Sequence, residues 1–461
     1  MKTNNKTKNS IIICLLIIIS VTSAMIPYGF IVPIFCFLFL LFIVLPMEKV
    51  LNMIWIGIFI SSFLGAYLGL PSNQNIFLFR ILLVLHCVLF PVFSGKKWGR
   101  ISSFQILFFI LGVWLIGNVI SLFWASVHAE ALRYIYFVFE ACYLIFLTVY
   151  YVHDRKSYQF FSNVIMGFYI LALGLGLVEV TTGWHMSLSG SLVYETTTSH
   201  FQPTAFLFNT NDYAMFLAIF FPIVFCRIWK FHKRPWNICL AILVLILSLY
   251  LVITTYSRLG IISIILETVI ICLLYLRKSS FFFIFCVVIY LLINSFLSLE
   301  FGDKITEIIV SAFTKKSAST DDRMDLYQTA WEIIRDSNFI GVGAGNVPIK
   351  IHNYLYGHET VGNVYMAAHN FWLESMGGIG LFSFAIIAFM LFSTGLSFQT
   401  WWRNRNQMNT VQYLVPLLIV FVFCLSSVAL SSIIEKRYLW LALGIAIRIS
   451  CVNITKSELE N

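Results

Sequence analysis

Charge is scarce in this chain. Lys, Arg, Asp and Glu make up 11% of its 461 residues, where a soluble protein carries about a quarter. None of the ten cysteines stands in a CxxC or a Cys/His spacing, so neither a zinc site nor a disulfide framework is written here. No internal period of about 20–50 residues marks a repeat protein. No alternation over ~10-residue segments marks outer-membrane strands. No carboxylate cluster offers to hold a divalent metal. These absences exclude a soluble globular enzyme, a disordered chain, a fibrous repeat and a membrane β-barrel.

What remains is apolar. Hydrophobic residues reach 60%, the mean hydropathy is +0.88, and the apolar runs are long. A membrane-spanning helix needs ~20 such residues. Runs near 10–26, 30–46, 50–70, 76–93, 104–124, 131–152, 159–180, 212–229, 237–254, 260–276, 280–298, 371–396, 412–430 and 437–452 meet that need. The expected fold is all-α: a polytopic transmembrane helical bundle of about fourteen spans, or twelve to thirteen if an end helix is miscounted. Pro27-Tyr28-Gly29 and Pro71-Ser72-Asn73 supply turn chemistry between early spans. The N-terminus also has the form of a signal peptide, with a basic start, an apolar run Ile11 to Ile19 and small residues Thr22-Ser23-Ala24. A retained first helix fits better, because more spans follow directly.

The net charge of +9 invites a nucleic-acid reading, but the Lys and Arg sit in short patches between apolar runs. With the N-terminus in the cytoplasm, the inside segments collect 19 of the 30 basic residues, while the short outside turns and the loop 181–211 hold none. That is the positive-inside pattern. It places both termini in the cytoplasm and leaves one long extracytoplasmic loop. The expected domains are residues 1–298 (helices 1–11), the loop 299–370, and residues 371–461 (helices 12–14).

Within the loop, Asp303 to Phe313 and Asp321 to Ser337 read as amphipathic helices. Met324, Tyr327, Trp331 and Ile334 share one face of the second, and Thr320 or Asp321 can cap its start. Capping suits Asp321-Asp322 better than metal binding. The run Gly341-Val342-Gly343-Ala344-Gly345-Asn346 breaks the chain into a flexible turn.

Three arginines oppose the topology rule. Arg80, Arg133 and Arg258 lie at outer helix ends or in a hairpin. An arginine fork matches phosphate oxygens, which makes each a candidate anion ligand. The bland alternative is a side chain snorkelling to the headgroups. For Arg258 the tight polar hairpin Thr254-Thr255-Tyr256-Ser257-Arg258-Leu259-Gly260 favours the anion site. His369 lies where the long loop re-enters the membrane, in Ala368-His369-Asn370-Phe371-Trp372. It can take a proton from a hydroxyl, or be an interfacial histidine beside Trp372. Glu374, five positions on, shares no helix face with it and is a poor orienting partner. His352 and His358 read as solvated loop histidines. Glu140, Glu179 and Glu267 sit inside or near the ends of spans, where pairing with an arginine is the first expectation.

Three stretches together resemble the O-antigen ligase and O-antigen polymerase superfamily, over about residues 203–385. The first runs from Pro203 through Asn209-Thr210-Asn211 to Ala214, with Thr210 where that family often has Pro between two Asn. The second is Ser257-Arg258-Leu259-Gly260. The third runs from Asp322-Arg323 through Trp331 and the glycine turn to His369-Asn370, Glu374 and Gly377-Gly378-Ile379-Gly380. The resemblance implies a membrane glycosyltransferase that uses undecaprenyl-diphosphate-linked glycan, with no metal and no cofactor. It implies Arg258 and Arg323 on the diphosphate and His369 as general base. Arg80, Arg133, Asn209, Asn211 and Asn370 are the accompanying substrate-binding candidates. The partners implied are the lipid-linked oligosaccharide, a glycan or lipid acceptor and membrane lipids, in a bacterial cell membrane. Polymerisation of a surface polysaccharide is favoured over ligation to a lipid or wall acceptor. A flippase is the reading from another class, but no duplicated halves are visible.

Overall fold

A computed structural model describes residues 45–70, 73–95, 97–193, 199–229, 235–275, 317–356, 367–405, 411–430 and 432–451. The expected spans 10–26 and 280–298, all but the last two residues of 30–46, the first loop helix, the N-terminal leader-like run and His358 lie outside them.

Among the described residues fourteen helices of nine or more residues follow one another. They are α1 Met47–Leu64, α2 Leu78–Phe93, α3 Gln105–Ile120, α4 His128–Tyr151, α5 Arg155–Thr182, α6 Thr210–Trp229, α7 Pro235–Thr254, α8 Arg258–Tyr275, α9 Ser317–Asp336, α10 Val347–Tyr356, α11 Phe371–Ile379, α12 Phe384–Asn404, α13 Val411–Ala429 and α14 Arg437–Cys451. Two short strands, Gly69–Leu70 and Asn73–Phe77, precede α2. Seven described helical stretches are long and apolar enough to cross a membrane. Large apolar side chains such as Phe109 and Leu391 are exposed on them, as lipid-facing residues are. The protein is an all-α polytopic membrane protein. Helices are the natural solution because each satisfies its own backbone groups without water.

The chain divides into two compact units, Met1–Ser61 with Leu70–Lys97, and Ser62–Gly69 with Trp98–Asn461. In the first, Gly57 of α1 lets Leu82 of α2 approach, and Lys97 pairs with Glu48 at 3.2 Å on the surface. In the second, α6 is the centre. Every residue from Asp212 to Cys226 is buried, as expected of a helix that is apolar all round. Helices α5, α7, α8 and α13 surround it.

Buried charges tie the second unit together. Lys436 donates to Asp212 at 2.6 Å, and Arg437 lies 3.5 Å from Glu140. Glu140 therefore has the arginine partner expected of it. Glu179 does not. Its carboxylate accepts the backbone N–H of Thr204 and of Ala205 at 2.7 Å each and sits 3.1 Å from His185. Glu267 is buried with no hydrogen-bond partner among the described residues.

The long loop departs from expectation in three ways. First, α9 already includes Ser317, so Thr320 and Asp321 lie inside it and do not cap its start. Second, the buried stripe of α9 is Leu326, Ala330 and Ile333, which packs on Val347 and Ile351 of α10 and on Ala368. Ile334 is buried too, but Met324 and Trp331 are about half exposed (52% and 50%). Small Ala330 permits close packing that a tryptophan would block. Third, the glycine run is not a flexible turn. The N–H groups of Val342 and Gly343 donate to the carbonyls of Gly377 and Gly378 at 2.8 Å each, and Leu381 N–H donates to Phe339 O at 3.1 Å. His352 is also buried, at 6% exposure, on the packed face of α10 beside Ile351.

The expected span 371–396 is broken at this crossing, with a 3-10 turn Gly380–Ser383 between α11 and α12. Gly380 has φ +56°, and a Cβ there would run into Phe339 O. Gly380→Ala is therefore expected to cost at least the ~1–3 kcal/mol typical of a forced backbone. A lower thermal midpoint of the detergent-solubilised chain is the expected reading. An unchanged midpoint would contradict the crossing.

Candidate functional site

The site is built where α9, α11 and the segment before α11 meet. Asn370 caps α11, its side chain accepting the N–H of Trp372 at 3.0 Å and of Leu373 at 3.3 Å. Just before the cap, His369 adopts φ +54°. A residue with a Cβ rarely holds that conformation without support. The support is Glu374. Its carboxylate reaches back from the first turn of α11 and accepts the N–H of Ala368 at 2.8 Å and that of His369. The His369 Nδ1 is buried and has no hydrogen-bond partner among the described residues. The ring is thus positioned by its backbone and not by a bond at Nδ1.

Arg323 comes from α9. Its guanidinium is close enough to act electrostatically on the His369 ring and on the Tyr327 phenol. Tyr327, one turn along α9, donates to His369 O at 3.4 Å and shares a side-chain hydrogen bond with Asn370. Burial lowers the imidazole pKa below its ordinary 6.5, and the Arg323 charge lowers it further. Both effects favour the neutral ring, the form a proton acceptor needs.

The structure brings His369, Arg323 and Asn370 together. Arg258 opens α8 after a three-residue link in which Tyr256 has φ +56° and Ser257 N–H donates to Thr255 Oγ1 at 3.1 Å. This is the tight polar hairpin read from sequence. Helix α8 packs on α6, α7 and α13, and α13 also receives α11. Asn209 stands before α6 and accepts the N–H of Asn211 at 2.7 Å and of Asp212 at 3.0 Å, so its side-chain oxygen is engaged in capping. Arg80 belongs to the first unit, where its guanidinium lies 4.8 Å from the Phe77 ring. Arg133, on α4, lies 3.7 Å from Glu130 and 3.5 Å from Glu435.

Next to the His369 segment is a cavity of about 240 Å³. Glu130, Arg133, Tyr134, Glu374 and Glu435 contribute its polar lining. Among the described residues no three His, Cys, Asp or Glu side chains converge as metal ligands do.

Residues 243–388 match the family model described as O-antigen ligase. Over 417 residues the chain is 25% identical to the teichuronic acid biosynthesis protein TuaE of Bacillus subtilis (strain 168), covering 86% of this chain and 82% of that protein. Over that segment the chain resembles the O-antigen ligase and polymerase superfamily. The likeness supports a membrane protein of cell-surface glycan biosynthesis, of polymerase or ligase type. The matched region contains Arg258, Arg323, His369 and Asn370. Arg80, Arg133, Asn209 and Asn211 lie outside it.

Sequence reasoning passed over Glu374 and Tyr327. The signal for Glu374 was an acidic residue in the first turn of a helix opened by a capping Asn, where a carboxylate can reach back to preceding N–H groups. Tyr327 was counted only as part of an apolar face.

Replacing Arg323 by Gln removes a positive charge that opposes protonation of His369. The His369 pKa is expected to rise from below 6.5 toward it. Histidine-selective NMR titration, with His369→Ala to assign the signal, checks this. An unchanged or lower pKa would separate the two residues.

Proposed function

We propose that the chain transfers a glycan from undecaprenyl diphosphate to a hydroxyl acceptor at the extracytoplasmic face of a bacterial cell membrane, with both termini in the cytoplasm. The observation that carries this reading is the placing of His369, clamped through the backbone before it, beside the guanidinium of Arg323.

His369 accepts the proton of the acceptor hydroxyl. The acceptor oxygen forms a bond to the anomeric carbon of the donor sugar. The bond from that carbon to the diphosphate oxygen breaks, and its electron pair leaves with the diphosphate. Arg323 and Arg258 stabilise the charge that grows there. Donors pre-aimed at developing charge are usually the largest catalytic contribution. Undecaprenyl diphosphate leaves readily as a stabilised anion, so two guanidinium groups suffice and no metal or cofactor is invoked. Glu374 holds His369 in place, and Asn370 caps the helix behind it.

Polymerisation, with a second lipid-linked repeat as acceptor, is the favoured form of the reaction. The relative TuaE, named for teichuronic acid biosynthesis, supports a surface polysaccharide as product. Ligation to a lipid or wall acceptor uses the same chemistry.

His369→Ala is expected to lower transfer ~100- to 10,000-fold, the range of general-base catalysis, and to collapse the glycan length profile while the protein still inserts. Arg258→Ala is expected to do the same. Wild-type product lengths from either variant would remove the reading. Transfer by the wild type requires neutral imidazole. It is therefore complete above the His369 pKa and fades as pH falls through it, at a midpoint below 6.5. An acid limb centred above 6.5 would exclude His369 as the base.

A further inference from the structure

The cavity beside His369 is chemically unlike a phosphate site. Glu130, Glu374 and Glu435 line it with three carboxyl groups, against the single guanidinium of Arg133. Arg133 is already shared between Glu130 and Glu435, at 3.7 and 3.5 Å. A diphosphate or a uronate entering here would meet the excess of the Glu130 and Glu435 carboxylates over the single Arg133. Sugar hydroxyls would not be repelled, because they donate and a carboxylate accepts.

The rest of the lining suits a sugar ring. Tyr134 and Phe137 supply aromatic surface, which packs on the C–H face of a ring. The hydroxyl oxygen of Tyr134 is shielded and has no hydrogen-bond partner among the described residues. The volume, about 240 Å³, falls below the ~300–1,000 Å³ of pockets for drug-sized ligands. It suits a single ring.

Position gives the cavity its role. Glu374 belongs both to its wall and to the clamp on the His369 backbone. Ala367, two residues before His369, also lines it. A ring seated there lies against the segment that carries the base.

We propose that this cavity is the acceptor subsite, and that it takes an uncharged sugar ring and not a uronate or a phosphate. The proposal rests on the reading of His369 as the base.

Saturation-transfer NMR on the full chain in detergent tests it, with methyl N-acetyl-glucosaminide, methyl glucuronide and inorganic diphosphate as probes. Saturation is expected to reach the N-acetyl-glucosaminide, to be weaker for the glucuronide, and to survive excess diphosphate. Tyr134→Leu, which removes the aromatic face, and Glu435→Gln are each expected to weaken the neutral probe roughly tenfold, about the worth of one ring face or one hydrogen bond to a charged group. An unchanged melting midpoint shows that each variant folds, and His369→Ala is expected to bind the probe as the wild type does. No binding to the wild type, preference for the glucuronide, or undiminished binding in both variants overturns the proposal. If those results accompany loss of transfer in His369→Ala, the subsite falls and the transfer reading stands. If the neutral probe binds as expected but His369→Ala still builds long chains, a sugar site stands and its naming as acceptor falls with the transfer reading.

Discussion

Two glycine-rich stretches cross backbone to backbone, and the candidate site depends on that crossing. The segment Phe339–Gly343 lies against Gly377–Leu381, joined by three hydrogen bonds of 2.8–3.1 Å. A Cβ on Gly341 would meet Gly378 O at 2.5 Å, and one on Gly343 would meet Ala125 at 2.6 Å. Only glycine permits such approaches. One side of the crossing follows α9, which carries Arg323. The other lies in and just beyond α11, which follows His369. The register of the crossing therefore sets the register of the guanidinium against the imidazole. Asn346 extends the lock. It is fully buried, and its Oδ1 accepts Val127 N–H at 2.8 Å and Ser126 Oγ–H at 3.0 Å, which ties the crossing to the start of α4.

The basic residues on the loop side of the bundle divide by what they meet. Lys436 and Arg437 meet buried carboxylates on α6 and α4. Removing either partner would leave an uncompensated charge in the interior, which is far costlier than a surface pair. These residues hold helices together. Arg323 instead lies beside His369, with no carboxylate paired to it among the described residues. That juxtaposition is what the proposed diphosphate site uses.

Much of the fold was legible because a membrane span is a coarse signal. Eleven expected spans coincide with described helices, since ~20 apolar residues leave little else to form. The hairpin at Arg258 was legible from its polar run between two spans. Tertiary detail was less so. The face of α9 was misread because Trp331 and Met324 are its largest apolar residues, whereas packing against α10 selected the small Ala330 with Leu326 and Ile333. The glycine run looked flexible because glycine's freedom is a property of the isolated chain, and the partner backbone that uses it lies some 35 residues on. His352 looked solvated because a loop was expected where α10 forms. Glu374 looked misplaced because helix-face arithmetic compares side chains, while its carboxylate grips backbone. In the candidate site the residues proposed for catalysis were visible, as was Asn370, whereas the positioning contacts of Glu374 and Tyr327 were not.

The central claim is that Arg323 and Arg258 hold the diphosphate of a lipid carrier beside His369. A cryo-electron microscopy structure of the full chain with undecaprenyl diphosphate tests it most directly. The account predicts diphosphate density contacting both guanidinium groups, with the His369 ring alongside. Diphosphate seated in the carboxylate-lined cavity, or bound away from both arginines, would contradict it.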